Sequence, residues 1–157
     1  CVDAKTSLDN GGKIMFCGNG GSASDAQHLA AELVVKYQKK RKPLAAISLS
    51  TDTSVLTATG NDFGFQQIFS RQVEALGKTG DLLICITTSG KSKNIIKAIK
   101  SANKKKIKCF ALSGNKGGLI KNLDCELIDI PHKKTSIIQV CQITLGQILC
   151  DYLENNH

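Results

Sequence analysis

Five apolar runs of strand length recur along this chain, each followed by a polar loop and a stretch of helical character. The runs are KIMFC at 13–17, AAISL at 45–49, DLLICI at 81–86, IKCFAL at 107–112 and CELIDI at 125–130. They are apolar throughout rather than alternating, as strands buried on both faces of a parallel sheet must be. Parallel neighbours need crossovers, and the segments between the runs supply them. The pattern predicts helices over about 24–37, 54–59, 67–76 and 94–102, a short helix after the loop at 113–118, and a long apolar helix over 136–153. The fold class expected is α/β, a doubly wound three-layer αβα sandwich with a five-stranded parallel sheet. Ligands of such sheets bind beyond the carboxyl ends of the strands. No internal repeat, long linker or low-complexity tract interrupts residues 1–157, a length usual for one domain.

Charge and cysteine content narrow the class. The formal charge is +8, with basic runs at Lys39-Lys40-Arg41-Lys42, Lys104-Lys105-Lys106 and Lys133-Lys134. These read first as solvated faces, with an anionic substrate or nucleic acid as the other reading. Aromatic residues are only 4% and Trp is absent, so base-stacking platforms are not indicated and nucleic acid is not an expected partner. The seven cysteines fall at 1, 17, 85, 109, 125, 141 and 150, with no CxxC spacing. Several lie inside apolar runs, which suits buried reduced thiols in a cytoplasmic protein better than disulfides or a zinc cluster. No apolar run approaches the ~18 residues of a membrane helix. The opening CVDAKTSLDN lacks a signal-peptide pattern, and it lacks an initiator Met, as a fragment or trimmed chain would.

Two loops carry the chemistry. Gly18-Asn19-Gly20-Gly21-Ser22 joins the first strand to a helix, where glycines let the backbone approach an anion and the helix presents free N–H groups. It is neither a P-loop nor GxGxxG, and a tight turn without ligand is the plainer reading. Thr87-Thr88-Ser89-Gly90-Lys91-Ser92 follows the third strand and offers four hydroxyls, backbone N–H groups and an ammonium in six residues. Capping alone could explain such residues, but two such loops at one sheet edge favour a phosphate monoester. His28 and Glu32, four apart, share a helix face; an ordinary surface pair is one reading, and on a helix that begins at the glycine loop the spacing also suits a metal pair or a positioned base. Asn61-Asp62-Phe63-Gly64-Phe65 reads as a polar turn, in which Asp62 reaches a sugar hydroxyl or caps the next helix.

The runs GNGGSASDAQHLAAEL (18–33), STDTS (50–54), GNDFGFQQIFSRQVEALG (60–77) and GDLLICITTSGKSKNIIKAIK (80–100) resemble the phosphoheptose isomerases of the SIS (sugar isomerase) family. The likeness extends from about Gly11 to Asp151. It implies a flavodoxin-like five-stranded sheet and a homo-oligomer, a tetramer with active sites between subunits. It also implies conversion of sedoheptulose 7-phosphate to glycero-manno-heptose 7-phosphate, toward lipopolysaccharide or capsule heptose. Family members begin with an extra helical segment, of which a remnant is expected here. By the resemblance, Ser22, Thr87, Ser89 and Ser92 bind phosphate with Thr88 between them. Asn19, Gly20, Gly21, Asn61 and Asp62 contact substrate. His28, Glu32 and Gln139 belong to the zinc and catalytic set, with Glu32 the enediol-forming base.

The departures are specific. Where the family reads RIQE, this chain has Ile137-Ile138-Gln139-Val140, and Gln147 stands at the position of the family His that is both zinc ligand and second acid/base. Gln cannot exchange a proton near neutral pH, and its amide is a poorer zinc ligand than imidazole. Lys36 replaces a family Arg and loses a bidentate clamp. A weakened zinc site is therefore expected. The alternative function is a catalytically degenerate phosphosugar-binding regulator, of the kind represented by the DnaA initiator-associating proteins.

Overall fold

The computed structural model describes residues 1–157 and places all five strands in one parallel sheet. In chain order the elements are α1 (Val2–Asp9), β1 (Ile14–Gly18), α2 (Gly21–Val34), β2 (Ala46–Ser48), α3 (Thr53–Phe63), α4 (Ser70–Leu76), β3 (Leu82–Ile86), α5 (Lys93–Lys104), β4 (Lys108–Gly114), β5 (Glu126–Ile130) and α6 (Thr135–Asn156). Strand order is β2-β1-β3-β4-β5, so the chain reverses its direction of winding between β1 and β3. That crevice, beyond Gly18 and Ile86, is where this topology leaves room for a ligand.

The three layers follow from burial on both sheet faces. β1 and β3 are buried at every position. On one face Phe16, Leu82 and Ile84 pack with Leu8, Leu29, Leu33 and Leu153 from α1, α2 and α6. On the other, Met15, Leu83 and Cys85 pack with Phe69, Val73, Ile95 and Ile99 from the segments around α4 and α5. Cys17 and Cys85 are register partners with Sγ atoms 3.5 Å apart, and all seven cysteines are free thiols. Burial pushes the Cys150 thiol up to about 12 and Cys109 higher still, so these are inert core side chains.

Several expectations shift. α2 begins at Gly21 rather than near 24, because the glycine turn itself forms its first turn, and it stops at Val34. The stretch expected as a polar turn, Asn61-Asp62-Phe63, is the last turn of α3, and Asp62 caps no helix. The helix expected from 67 is a 3₁₀ turn at Phe65–Gln67 followed by α4. The loop expected at 113–118 contains a 3₁₀ turn, Asn115–Gly117, and the short helix expected after it is a second 3₁₀ turn, Ile120–Asn122. β5 alternates exposed and half-buried positions, because it is the sheet edge and needs only one apolar face. α1 stands where the resemblance implies a remnant of an N-terminal helical segment, and no periodicity in the sequence marks it.

Arg41 belongs to a basic run expected to face solvent, yet its side chain is mostly enclosed. Its guanidinium donates to the carbonyls of Glu32 and Leu33 at 2.7 and 2.8 Å, capping α2. Its Nε lies 3.3 Å from the Glu154 carboxylate in the last turn of α6. That carboxylate also accepts backbone N–H bonds from Tyr37, Gln38 and Lys39 at 2.9, 2.7 and 2.9 Å. Burial acts to raise the Glu154 pKa, and these bonds with Arg41 outweigh it and hold the group below its usual value. A carboxylate with a depressed folded pKa stabilises above its unfolded pKa, and that stability is lost as pH falls through the folded value. The wild-type melting temperature should therefore drop as pH falls below about 4.3. Glu154→Gln should melt lower at neutral pH and show a shallower acid loss, as read by circular dichroism melts from pH 7 to 3. Parallel curves for the two proteins would contradict this role.

Candidate active site

The two hydroxyl-bearing loops meet at the crevice between β1 and β3. Gly20 has φ 57° and ψ −123°, a conformation open to glycine and strained for other residues, and it lets the chain reverse from β1 into α2. Ser22 then lies buried in the first turn of α2. Opposite it, Thr87 is buried, and Thr88, Ser89 and Ser92 are half-exposed. The backbone N–H groups of Thr88, Ser89 and Gly90 make no hydrogen bond within the protein. Ser92 is the N-cap of α5, yet its side chain makes no capping bond. Free N–H groups, a free capping hydroxyl and the N-terminus of a twelve-residue helix form an anion cradle.

The loops are locked by a pair the sequence reading missed. Asn19 Nδ2 donates to Asn94 Oδ1 at 3.0 Å, and Asn94 Nδ2 returns a bond to Asn19 Oδ1 at 2.8 Å. Asn94 also accepts the Ile95 N–H. The Asn19 side chain, expected to touch substrate, is thus committed to fixing the crevice. Two Asn residues, one after each strand, were the only available signal. Asn61 and Asp62 are exposed and bond each other at 2.7 Å, with no bond to either loop.

The second part of the site lies between α2 and α6. The helices approach closely at Gly146, where an added Cβ would sit 2.4 Å from Leu29 Cδ1. This brings Gln147 beside His28. His28 Nε2 is 2.9 Å from Glu32 Oε1 and 3.4 Å from Gln147 Nε2. One ring nitrogen cannot both donate and accept, and the shorter contact decides. Nε2 carries the proton and donates to Glu32, so it meets the Gln147 amide nitrogen donor to donor, a proximity and not a hydrogen bond. Two turns earlier, the Gln139 amide lies over Gly21, 2.9 Å from where a Cβ would stand. Glu32, His28, Gln147 and Gln139 therefore line one seam beside the glycine loop. Asp25, one turn before His28, is pushed above the usual carboxylate range by burial, with His28 opposing.

The donors do not fit a zinc centre. A tetrahedral site takes several imidazole, thiolate or carboxylate ligands. Here one imidazole and one carboxylate bond each other, and their neighbours are neutral amides. No three His, Cys, Asp or Glu side chains converge in the chain. What the seam offers is a held carboxylate beside an anion cradle, the elements of proton transfer on a phosphorylated substrate.

Comparison with known proteins places this arrangement. Residues 4–114 match the SIS domain family. A phosphoheptose isomerase of a Nitratiruptor species is 50% identical over 156 residues, covering 99% of this chain and 82% of that protein. The solved phosphoheptose isomerase of Neisseria gonorrhoeae superposes with a TM-score of 0.91 at 46% identity, covering 98% of this chain and 82% of that one. That of Francisella tularensis gives 0.95 at 39% identity, covering 99% and 83%. With this sheet order, this crevice and this degree of identity, the chain belongs to the SIS domain family and, within it, to the phosphoheptose isomerases.

Proposed function

We propose that the chain is an aldose–ketose isomerase converting sedoheptulose 7-phosphate to D-glycero-D-manno-heptose 7-phosphate, supplying heptose for a surface polysaccharide. The observation that carries it is Glu32, whose carboxylate is held by His28 at 2.9 Å on the helix that starts at the glycine loop. The 7-phosphate would occupy the cradle of Ser22, Thr87, Thr88, Ser89 and Ser92. Glu32 takes the proton from C1 while O2 gains one, giving a cis-enediol. It then returns the proton to C2 while O1 loses one and C1 becomes the aldehyde. Overall one hydrogen moves from C1 to C2 and one proton from O1 to O2. Gln147 can hydrogen-bond those oxygens but cannot move their proton, which makes that half of the reaction slow. The test is turnover of the ketose in D₂O, with deuterium entering C2 of the aldose product and exchanging at C1 of the remaining ketose.

Zinc, if supplied, would meet only His28 and Glu32 as strong ligands, so its affinity should be low. The Gln147 replacement also favours a second reading, a phosphosugar-binding regulator without turnover, and the same assay separates the two. No helix is long and apolar enough to cross a membrane. The free thiols and the phosphorylated substrate suit the cytoplasm. The resemblance implies a homo-oligomer, a tetramer, and the outer side of α6 supports association. Its inner face is buried at Ile138 and Leu153, while Ile137, Val140 and Ile148 are 43%, 62% and 54% exposed on its outer side. Light scattering should show an oligomer at micromolar concentration, and a stable monomer would overturn this assignment.

A further inference from the structure

Gln142 of α6 is wholly enclosed. Its Nε2 donates to the Thr87 carbonyl at 3.0 Å and to the Leu112 carbonyl at 2.8 Å. Its Oε1 is buried with no partner. An apolar side chain of similar volume would fill the same space without stranding an acceptor, so packing does not account for an amide here. The positions of its two partners do. Thr87 follows the last residue of β3 and opens the phosphate loop, and Leu112 lies in β4 directly beside Ile86. The Thr87 N–H already bonds the Leu112 carbonyl at 3.0 Å. Gln142 therefore straps both strand ends to α6 where the anion cradle begins.

The strap also sets a direction. A trans peptide holds its C=O and N–H antiparallel, and this chain has no cis peptide. Drawing the Thr87 carbonyl toward α6 turns the Thr88 N–H toward the opposite face of the sheet. That face carries α5, whose N-terminus presents Ser92. The Thr88 N–H is among those with no partner in the protein.

We infer that Gln142 is a positioning residue for the phosphate loop, aiming the Thr88 N–H and the hydroxyls after it at the substrate phosphate. This rests on reading Thr87–Ser92 as the phosphate site. The experiment measures inorganic phosphate affinity by calorimetry, KM and kcat for the sugar phosphate, and melting temperature, on wild type, Gln142→Met and Gln142→His. Met keeps the volume and removes both donors, and His restores one ring N–H at similar reach. In the Met variant the phosphate Kd and the KM should rise about tenfold, as loss of one hydrogen bond of ordinary strength gives, with kcat nearly unchanged. The His variant should recover most of that loss. Equal phosphate affinity in wild type and Met overturns the positioning role alone. A loss in Met that His does not recover, or one matched by an equal fall in kcat, overturns it as well. A wild type that binds no phosphate overturns the site reading on which it rests.

Discussion

Replacing Glu32 by Gln should lower isomerisation of sedoheptulose 7-phosphate by about 10²–10⁴-fold or more, the usual worth of a positioned acid/base. KM should change little. The substitution keeps the shape and the bond to His28, which an amide oxygen accepts as a carboxylate does, and removes only the ability to take a proton. Phosphate affinity should be untouched, because the cradle residues come from other turns and loops. No nearby group rescues the variant. Asp25 is the other carboxylate on that stretch of α2, and seven residues of helix place it roughly 10 Å away along the axis. A Glu32→Gln protein that keeps wild-type kcat would remove Glu32 from the mechanism.

Gln147→His should act in the opposite direction. An imidazole at 147 would face His28 across the close approach at Gly146, where the present contact is 3.4 Å. It would give the seam a second nitrogen ligand beside His28 and Glu32, and a group that titrates near neutral pH and can move the O1–O2 proton. Turnover should rise by about 10²–10⁴-fold, the range for gaining one general acid/base. Zinc affinity, read by calorimetry, should rise with it. Gln147→Leu, which offers neither chemistry, should do neither. If the unmodified protein already works at an ordinary rate of about 1–10³ s⁻¹ and His adds nothing, the slow half of the reaction is not set by Gln147.

Which parts of this molecule could be read from its sequence follows from how local their causes are. β1 and β3 are buried on both faces, so their apolar runs announce them, and the Gly- and Ser/Thr-rich loops after them mark the ligand edge. The pairing of His28 with Glu32 is set by one helical turn and is equally local. Interactions between distant segments left no such mark. Asn19 meets Asn94, Gln142 meets Thr87, and Arg41 meets Glu154 only after the crossovers have closed. Arg41 sits in a basic run that reads as solvent-facing, and only the return of α6 encloses it. The end of α3 misled for a different reason: Asn61, Asp62 and Gly64 carry turn propensity, but the helix continues through Phe63 and stops at Gly64, whose φ of 88° ends it.

The central claim, isomerisation through an enediol at Glu32, is tested most directly by incubating the purified protein with sedoheptulose 7-phosphate in D₂O and following both sugars by NMR. The account predicts slow appearance of the aldose heptose 7-phosphate carrying deuterium at C2. Residual ketose should exchange at C1, and Glu32→Gln should show neither signal. Ketose that binds in the phosphate cradle yet shows no aldose and no exchange at C1 would contradict it and leave a binding protein in its place.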